Sequence, residues 1–571
     1  MRVAEADFET TTVADDCRVW AWAVCFCEDY TRVEFGTDID SFLLFCAKNK
    51  ADYYFHNLGF DGRFIVDRLM KLGYKWVADR PGAGEFTTLV SSKNKFYQLE
   101  VRFYSGMSVR FRDSLKLFPM SVKRIAKAYD LDEGKGELDY ETVREVGHEL
   151  TSEERDYIRR DVQIVAQALE TNLKQGLTKM TIGSNAFGYF KDITGKKRYE
   201  HLFPVLTPEV DADIRRSYRG GFTYVAPEWA GKDVYGGISV DYNSMYPSML
   251  ISKPYPVGEP ILFYGEYERD DEHPLYVQNL TCTFDLKPDG IPMIQLRNSG
   301  FYGQHEYVTN TREPVSITLT CVDLDLLFTN YAVDVLQWEG GYKFGVCDGK
   351  QLFGAYVDHW GKIKQTSKGP MRQLAKLMLN NIYGKFATNP DVTQKVPKLA
   401  PDGVVHWELG DPETRDPVYI PVGTFCTAWA RHTLITAIHE NRSRFVYCDT
   451  DSMHLQGTED PAGIRLHDTD FCAWKVEGQF THARHLRAKC YIWDLNGHIG
   501  VTCAGMPDNV KRMCTFDNFK FGLSNINPVT GRACKGAACK FGSICPGLAK
   551  LLPKAVPGGV VLIGAPYELK E

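Results

Sequence analysis

The chain has little that would tie it to a membrane or an oxidising compartment. No run of apolar residues approaches the roughly 20 needed to span a bilayer. The N-terminus runs straight into Val3-Ala4-Glu5-Ala6-Asp7, without the basic stretch and apolar core of a secretory signal. A strong charge of one sign is also missing. The 67 Lys and Arg stand against 73 Asp and Glu, a formal net charge of −6 over 571 residues. A polyanionic partner is therefore not announced by total charge and would need local basic surfaces. The 16 cysteines are scattered, mostly inside apolar strand-like runs such as those around Cys25, Cys282 and Cys448. That usage fits reduced thiols in a cytosolic setting.

What is present is a globular profile, 44% hydrophobic and 25% charged. Its length corresponds to roughly four domains. Local basic clusters do occur, at Lys123-Arg124 with Lys127, Lys196-Lys197-Arg198, Arg215-Arg216 with Arg219, and Arg484 with Arg487 and Lys489. Any one of these alone would pass for a solvated face.

Acidic residues carry more information. In Ala6-Asp7-Phe8-Glu9-Thr10 the alternation is that of a strand, so Asp7 and Glu9 share a face. Two adjacent carboxylates repel unless a cation lies between them. Asp61 follows the apolar Tyr53-Tyr54-Phe55 in a polar, glycine-containing turn, His56-Asn57-Leu58-Gly59-Phe60-Asp61-Gly62. Tyr157 and Asp161 are four apart at the opening of a periodic helix and so are neighbours on one face. Four carboxylates and a tyrosine are the inventory for two-metal phosphodiester hydrolysis, with one ion activating a water and the other stabilising the leaving oxygen. Such hard oxygen ligands suit magnesium or manganese.

A second constellation lies further on. Gly237 to Asp241 reads as a buried strand leading through a turn to a helix start near Pro247. Apolar residues flank Asp449-Thr450-Asp451 on both sides, predicting a hairpin with both carboxylates at its tip and on one face. With Asp241 on an adjacent strand, the three would form a second two-metal site, suited to phosphoryl transfer. Between these segments, Arg372, Lys376 and Tyr383 fall within about 40° of one another on a helix, with Asn380 close by. Leu374, Leu377 and Met378 occupy the opposite, core-facing side. Two cations and a tyrosine on one face suit a triphosphate and its base.

In order along nearly the whole chain, these segments resemble the family B DNA polymerases, and specifically their protein-primed, phi-29-type branch. The resemblance implies an α/β (mixed α+β) protein. An RNase H-like 3′–5′ exonuclease domain is followed by a right-hand polymerase of palm, fingers and thumb with two terminal-protein-region insertions. It implies that Asp7, Glu9, Asp61 and Asp161 hold the exonuclease metals, with Tyr157 orienting water and Lys135 assisting. Thr10, Asn57, Phe60, Ser114, Leu115 and Tyr140 would grip the single-stranded primer end. Tyr218-Arg219-Gly220-Gly221 is similar to the family's template-contacting linker, Thr427 to Arg431 to another template contact, and Lys489-Cys490-Tyr491 to its primer-handling motif. In the polymerase half, Asp241, Asp451 and the Tyr242 carbonyl would bind the metals, with Asp449 in support. Tyr246 would exclude a 2′-hydroxyl, and Lys364, Arg372, Lys376, Asn380 and Tyr383 would hold the nucleotide.

The same resemblance sets boundaries: 1–181 exonuclease, 182–252 palm, 253–351 first insertion, 352–388 fingers, 389–419 second insertion, 420–520 palm and 521–571 thumb. The implied cofactors are two Mg²⁺ (or Mn²⁺) ions per active site. The implied partners are DNA template and primer, dNTPs and a terminal protein, for a monomer free of membranes in a host cytoplasm. The insertions carry the branch, and the second of them implies strand displacement. Met245, Asn381, Ile382 and Arg372 depart from the usual motif residues. The C-terminal Gly/Cys/Lys stretch with Cys534, Cys539 and Cys545 is spaced poorly for zinc. It reads instead as a basic thumb segment supplied by Lys535, Lys540, Lys550 and Lys554. Three alternatives stand beside this reading: a conventionally primed family B polymerase, an exonuclease with an impaired polymerase half, and a catalytically idle scaffold protein.

Overall fold

A computed structural model describes residues 2–131, 138–139, 142–296, 306–523, 550–565 and 567–571. Lys135, Tyr140, Lys535, Lys540 and the three C-terminal cysteines lie outside these residues. Among the described residues, no helix is long and apolar enough to cross a membrane.

The first third forms an eight-stranded sheet from β1 (Arg2–Thr10), β2 (Val19–Phe26), β3 (Val33–Gly36), β4 (Ala51–Phe55), β5 (Lys75–Trp76), β6 (Glu85–Val90), β7 (Phe96–Arg102) and β8 (Ser108–Asp113). The strand order is β3-β2-β1-β4-β8-β7-β6-β5. Alternation along β1 divides two cores. Phe8 points to one side, edge-on to Phe42 and Phe55 at 4.8 and 4.9 Å. Asp7 and Glu9 take the other side, opposite Ala23 and Ala21 of β2. Those two alanines join the core beneath the helix Ser152–Lys174, and their small size leaves room beside the carboxylates. The helix starts at a capping box in which Thr151 and Glu154 exchange side-chain to backbone hydrogen bonds. Tyr157 and Asp161 therefore lie inside the helix and not at its opening.

A seven-stranded sheet holds the second constellation. It is built from β9 (Thr223–Val225), β10 (Asp233–Tyr242), β17 (Phe445–Asp449), β18 (Ser452–Gln456), β19 (Trp474–Arg487), β20 (Cys490–Leu495) and β21 (His498–Cys503), in the order β21-β20-β19-β10-β18-β17-β9. Asp241 on β10 faces Ser452 of β18 and Lys475 of β19. Against this layer pack the helices Met245–Ser252, Gly349–Thr366, Gly369–Phe386 and Ile420–Glu440, with Leu374, Leu377 and Met378 buried in the shared core.

Between β10 and the helix Gly349–Thr366 lies a separate four-stranded sheet, β11 (Pro254–Phe263), β12 (Leu275–Leu286), β13 (Val315–Thr320) and β14 (Tyr331–Asp348), in the order β11-β14-β12-β13. A hairpin of β15 (Asp391–Leu399) and β16 (Val405–Thr414) reaches back to the first sheet. There the Ser92 N–H donates to Thr393 O at 2.9 Å, and Trp407 packs edge-on to Phe96 at 5.6 Å. The C-terminal hairpin, β22 (Lys550–Val556) and β23 (Gly559–Ala565), also docks there. The Gly558 N–H donates to Asp67 Oδ1 at 3.1 Å, and Cys17 Sγ donates to Val560 O at 3.7 Å.

Candidate functional site

The first acidic group lines a cavity of about 430 Å³ between β1, the helix Leu58–Lys71 and the helix Ser152–Lys174. Asp7, Glu9, Asp61, Tyr157 and Asp161 all face it, as do Thr10, Asn57 and Phe60. Asn57 turns the chain through a left-handed conformation, φ 86°, so that Asp61 enters on the first turn of its helix. Burial, reinforced by the charge of Asp7, pushes the Asp61 carboxyl well above its ordinary range. Glu5, two residues before Asp7, also lines the cavity and is shifted the same way, by burial and then by Asp7. Its spacing from Asp7 and Glu9 was the signal that could have identified it. Ser114 and Leu115 are not in the cavity wall. Ser114 is fully buried behind it, with Oγ 3.3 Å from Glu5 Oε1 and 3.1 Å from His56 Nδ1. The half-buried Leu115 donates its N–H to Asp113 at 2.9 Å.

The second cavity, about 880 Å³, is lined by residues between 241 and 477. Asp241 and Asp451 form one wall, facing Lys364, Arg372, Lys376, Asn380 and Tyr383. Burial, then the charge of Asp451, pushes the Asp241 carboxyl up to about 7. Asp451 rises to about 6, through burial and then Asp449. Tyr246 stacks on Tyr383 with ring centroids 3.8 Å apart. Lys364 Nζ donates to Ser244 Oγ at 2.8 Å, which holds the helix Gly349–Thr366 to the turn after β10.

The hairpin tip corrects the expectation that Asp449 and Asp451 share a face. Residues 450 and 451 form the turn, with Thr450 at φ 59°, so strand alternation does not carry across it. Asp451 enters the cavity. Asp449 turns away and accepts from Lys489 Nζ at 2.6 Å to each oxygen and from Thr223 Oγ1 at 2.8 Å. The tip is clamped from both sides: Thr450 N–H donates to Phe222 O at 2.7 Å and Tyr242 N–H to Asp451 O at 2.6 Å. Gly221 belongs to the clamp, because a Cβ there would lie 2.6 Å from Thr450 Oγ1. Gly220 next to it faces open space.

Arg431 lies beneath the Tyr218–Gly221 segment. It is 3% exposed, and its guanidinium is committed to Asp323 and to the carbonyls of Arg219 and Gly220 at 2.7 Å. It therefore positions the Tyr218–Gly221 segment from below and does not reach outward. Tyr218 lines a third, arginine-rich cavity of about 490 Å³ with Arg215, Arg216 and Arg219. Tyr491 packs among Tyr447, His454, His485 and Trp493. Two residues missed in the sequence, Lys475 and Glu477, line the second cavity. Glu477 is the extra residue of a bulge, where register passes from Ser239–Gly478 to Val240–Val476. An alternating strand gives no sign of it.

Comparison with known proteins places the chain in a family. The model of DNA polymerase type B, organellar and viral, matches residues 44–151 and 144–467. The DNA polymerase of Bacillus phage B103 is 41% identical over 594 aligned positions, with all of both chains covered. That of Bacillus phage phi29 is 40% identical, covering 100% of this chain and 99% of its own. The solved structure of phi29 DNA polymerase complexed with primer-template DNA and incoming nucleotide superposes with a TM-score of 0.92 at 40% identity, over the whole of both chains.

Proposed function

This chain belongs to the type B DNA polymerases of organellar and viral origin, and from that premise we propose that its two acidic cavities divide synthesis from proofreading. It is a protein-primed DNA-directed DNA polymerase of the phi29 type. In our reading the second cavity performs template-directed nucleotidyl transfer, and the first is a 3′–5′ exonuclease that removes mispaired primer ends. The observation carrying this is the pairing, in one chain, of two separate carboxylate cavities, the second facing cations on the helix Gly369–Phe386.

Polymerases of this family depend on divalent metal, and the residues here fit a hard ion. Burial and neighbouring carboxylates raise the proton affinity of Asp61, Asp241 and Asp451, a crowding of negative charge that a cation would relieve. Among the described residues no three acidic, histidine or cysteine side chains close a cage on one point. Carboxylate oxygens are the hard ligands magnesium takes, and magnesium also retains waters and shares substrate phosphates. We assign Asp241, Asp451 and the Tyr242 carbonyl to one pair of ions, and Asp7, Glu9, Asp61 and Asp161 to the other. Bound there, magnesium would neutralise phosphoryl charge and activate the attacking oxygen. Lys364, Arg372 and Lys376 hold the triphosphate, Asn380 lies beside it, and Tyr383 packs on the nascent base pair. Tyr246 beneath the sugar excludes a 2′-hydroxyl. Lys489 neutralises Asp449, which leaves Asp451 free for metal, and Tyr491 lies beside the primer. Tyr157 orients water in the first cavity, where Thr10, Asn57 and Phe60 grip the frayed primer end, and Phe60 offers it a stacking face.

The remaining partners follow from the same reading. The sheet β11–β14 and the hairpin β15–β16 correspond to the two insertions, one facing a terminal protein that primes synthesis and the other separating strands ahead of it. The enzyme acts on viral or plasmid DNA inside a host cell.

The test separates the cavities. Asp451→Ala should lower primer extension by about 10³-fold or more, the equivalent of several kcal/mol of lost charge stabilisation, while primer shortening without dNTPs persists. Asp7→Ala should do the reverse. Loss of both activities from either substitution refutes the division. Labelling of a candidate terminal protein with a deoxynucleotide tests the priming mode.

A further inference from the structure

We propose that Cys490 and Cys503 form a dithiol modification site, at which a small two-electron thiol oxidant closes a reversible disulfide directly behind Lys489. The two residues face each other in the antiparallel register of β20 and β21. Facing Cα atoms in such a pair lie about 4.5–5.5 Å apart, inside the span a disulfide accepts. The two Sγ atoms are already 3.5 Å apart, with the Cys490 thiol donating to Cys503. That hydrogen bond favours the thiolate on Cys503, the nucleophilic form. The Tyr567 hydroxyl, 3.6 Å from Cys503 Sγ, can support it.

The surroundings permit closure. Among the described residues β21 is the outermost strand of its sheet, so it can shift toward β20 without displacing another described strand. Both thiols are buried in a small core with Met506, Val510, Cys514 and Leu569. Oxidant entry therefore requires local opening, which is least costly at a sheet edge. The chemistry balances with an azo oxidant such as diamide. The Cys503 thiolate adds to one nitrogen of the N=N bond, and the Cys490 thiol then attacks that sulfur. The S–N bond breaks as S–S forms, and the azo compound leaves as a hydrazine carrying two electrons and two protons. Dithiothreitol reverses the step by thiol–disulfide exchange. The bridge would staple the sheet edge to the core that anchors the C-terminal residues, one position beyond the lysine that clasps Asp449.

The experiment is peptide mapping of the full-length protein by mass spectrometry under non-reducing conditions. The protein is first treated with diamide, and remaining thiols are blocked with N-ethylmaleimide. Digested with chymotrypsin, which cuts between the two cysteines at Tyr491, Trp493 and Leu495, wild type should yield one linked pair of peptides containing Cys490 and Cys503, lighter by two hydrogens and separated by dithiothreitol. Cys503→Ser should leave Cys490 blocked by maleimide, and Cys490→Ser should leave Cys503 blocked. The two variants report independently should one fail to fold. Both thiols remaining free in treated wild type overturns the proposal. So does a bridge from either cysteine to Cys514, Cys534, Cys539 or Cys545.

Discussion

Thr450 carries a β-branched side chain at φ 59°, a conformation such residues rarely adopt. Its neighbours hold it there, and Gly221 leaves the space its hydroxyl and methyl occupy. Gly221→Ala should therefore tilt the hairpin tip and misplace Asp451. Steady-state extension should fall about tenfold or more, while shortening of a single-stranded primer stays within about twofold of wild type. The raised carboxyls give a second test. Asp241 rises to about 7 in the folded chain from an ordinary 3.8. In metal-free protein, the stability tied to its proton is complete below the lower value and is lost as pH rises through the higher one. Asp241→Asn should thus melt above wild type in EDTA at pH 8, with the gap closing toward pH 4. By the same proton competition, divalent-ion binding to wild type should weaken from pH 8 to pH 6 in calorimetric titrations.

Among elements, Arg431 of the helix Ile420–Glu440 donates to the linker carbonyls of Arg219 and Gly220 and is itself anchored by a buried ion pair with Asp323. Arg431→Met strands the Asp323 carboxylate and should cost about 3–5 kcal/mol, read as a lower chemical-denaturation midpoint. The double variant with Asp323→Leu should recover part of it. Elements of this kind also mark where sequence reading stopped. The helices Ser152–Lys174 and Gly369–Phe386 were legible because their periodicity is local. The same holds for the hairpin around Asp449 and for the strand ending near Asp241. The turn at Thr450 reversed the fate of Asp449 because alternation holds only inside a strand. The burial of Arg431 and Ser114 and the place of Glu477 were not legible, because burial and bulges depend on distant partners. The four-stranded sheet β11–β14 pairs strands tens of residues apart, so its order leaves no local trace.

At the scale of the molecule, both hairpins converge on the first sheet. Gly558 meets it at φ 101°, and a Cβ there would lie 2.1 Å from the Cys17 carbonyl oxygen. Val561 and Leu562, just beyond, line the first cavity. Gly558→Val should lift the hairpin and slow degradation of single-stranded primer several-fold. Extension from a paired primer should change less, since the second cavity lies on another sheet; equal losses in both assays would refute the coupling.

That docking also has a calendar. The strands and helices that bear Asp7, Glu9, Asp61 and Asp161 leave the ribosome early, whereas the strand that walls their cavity is made about 400 residues later. At typical rates of synthesis the delay is roughly 20–80 s. Throughout it the nascent chain carries these four carboxylates in a cavity still missing one wall, so a prematurely terminated product would carry that cavity unfinished.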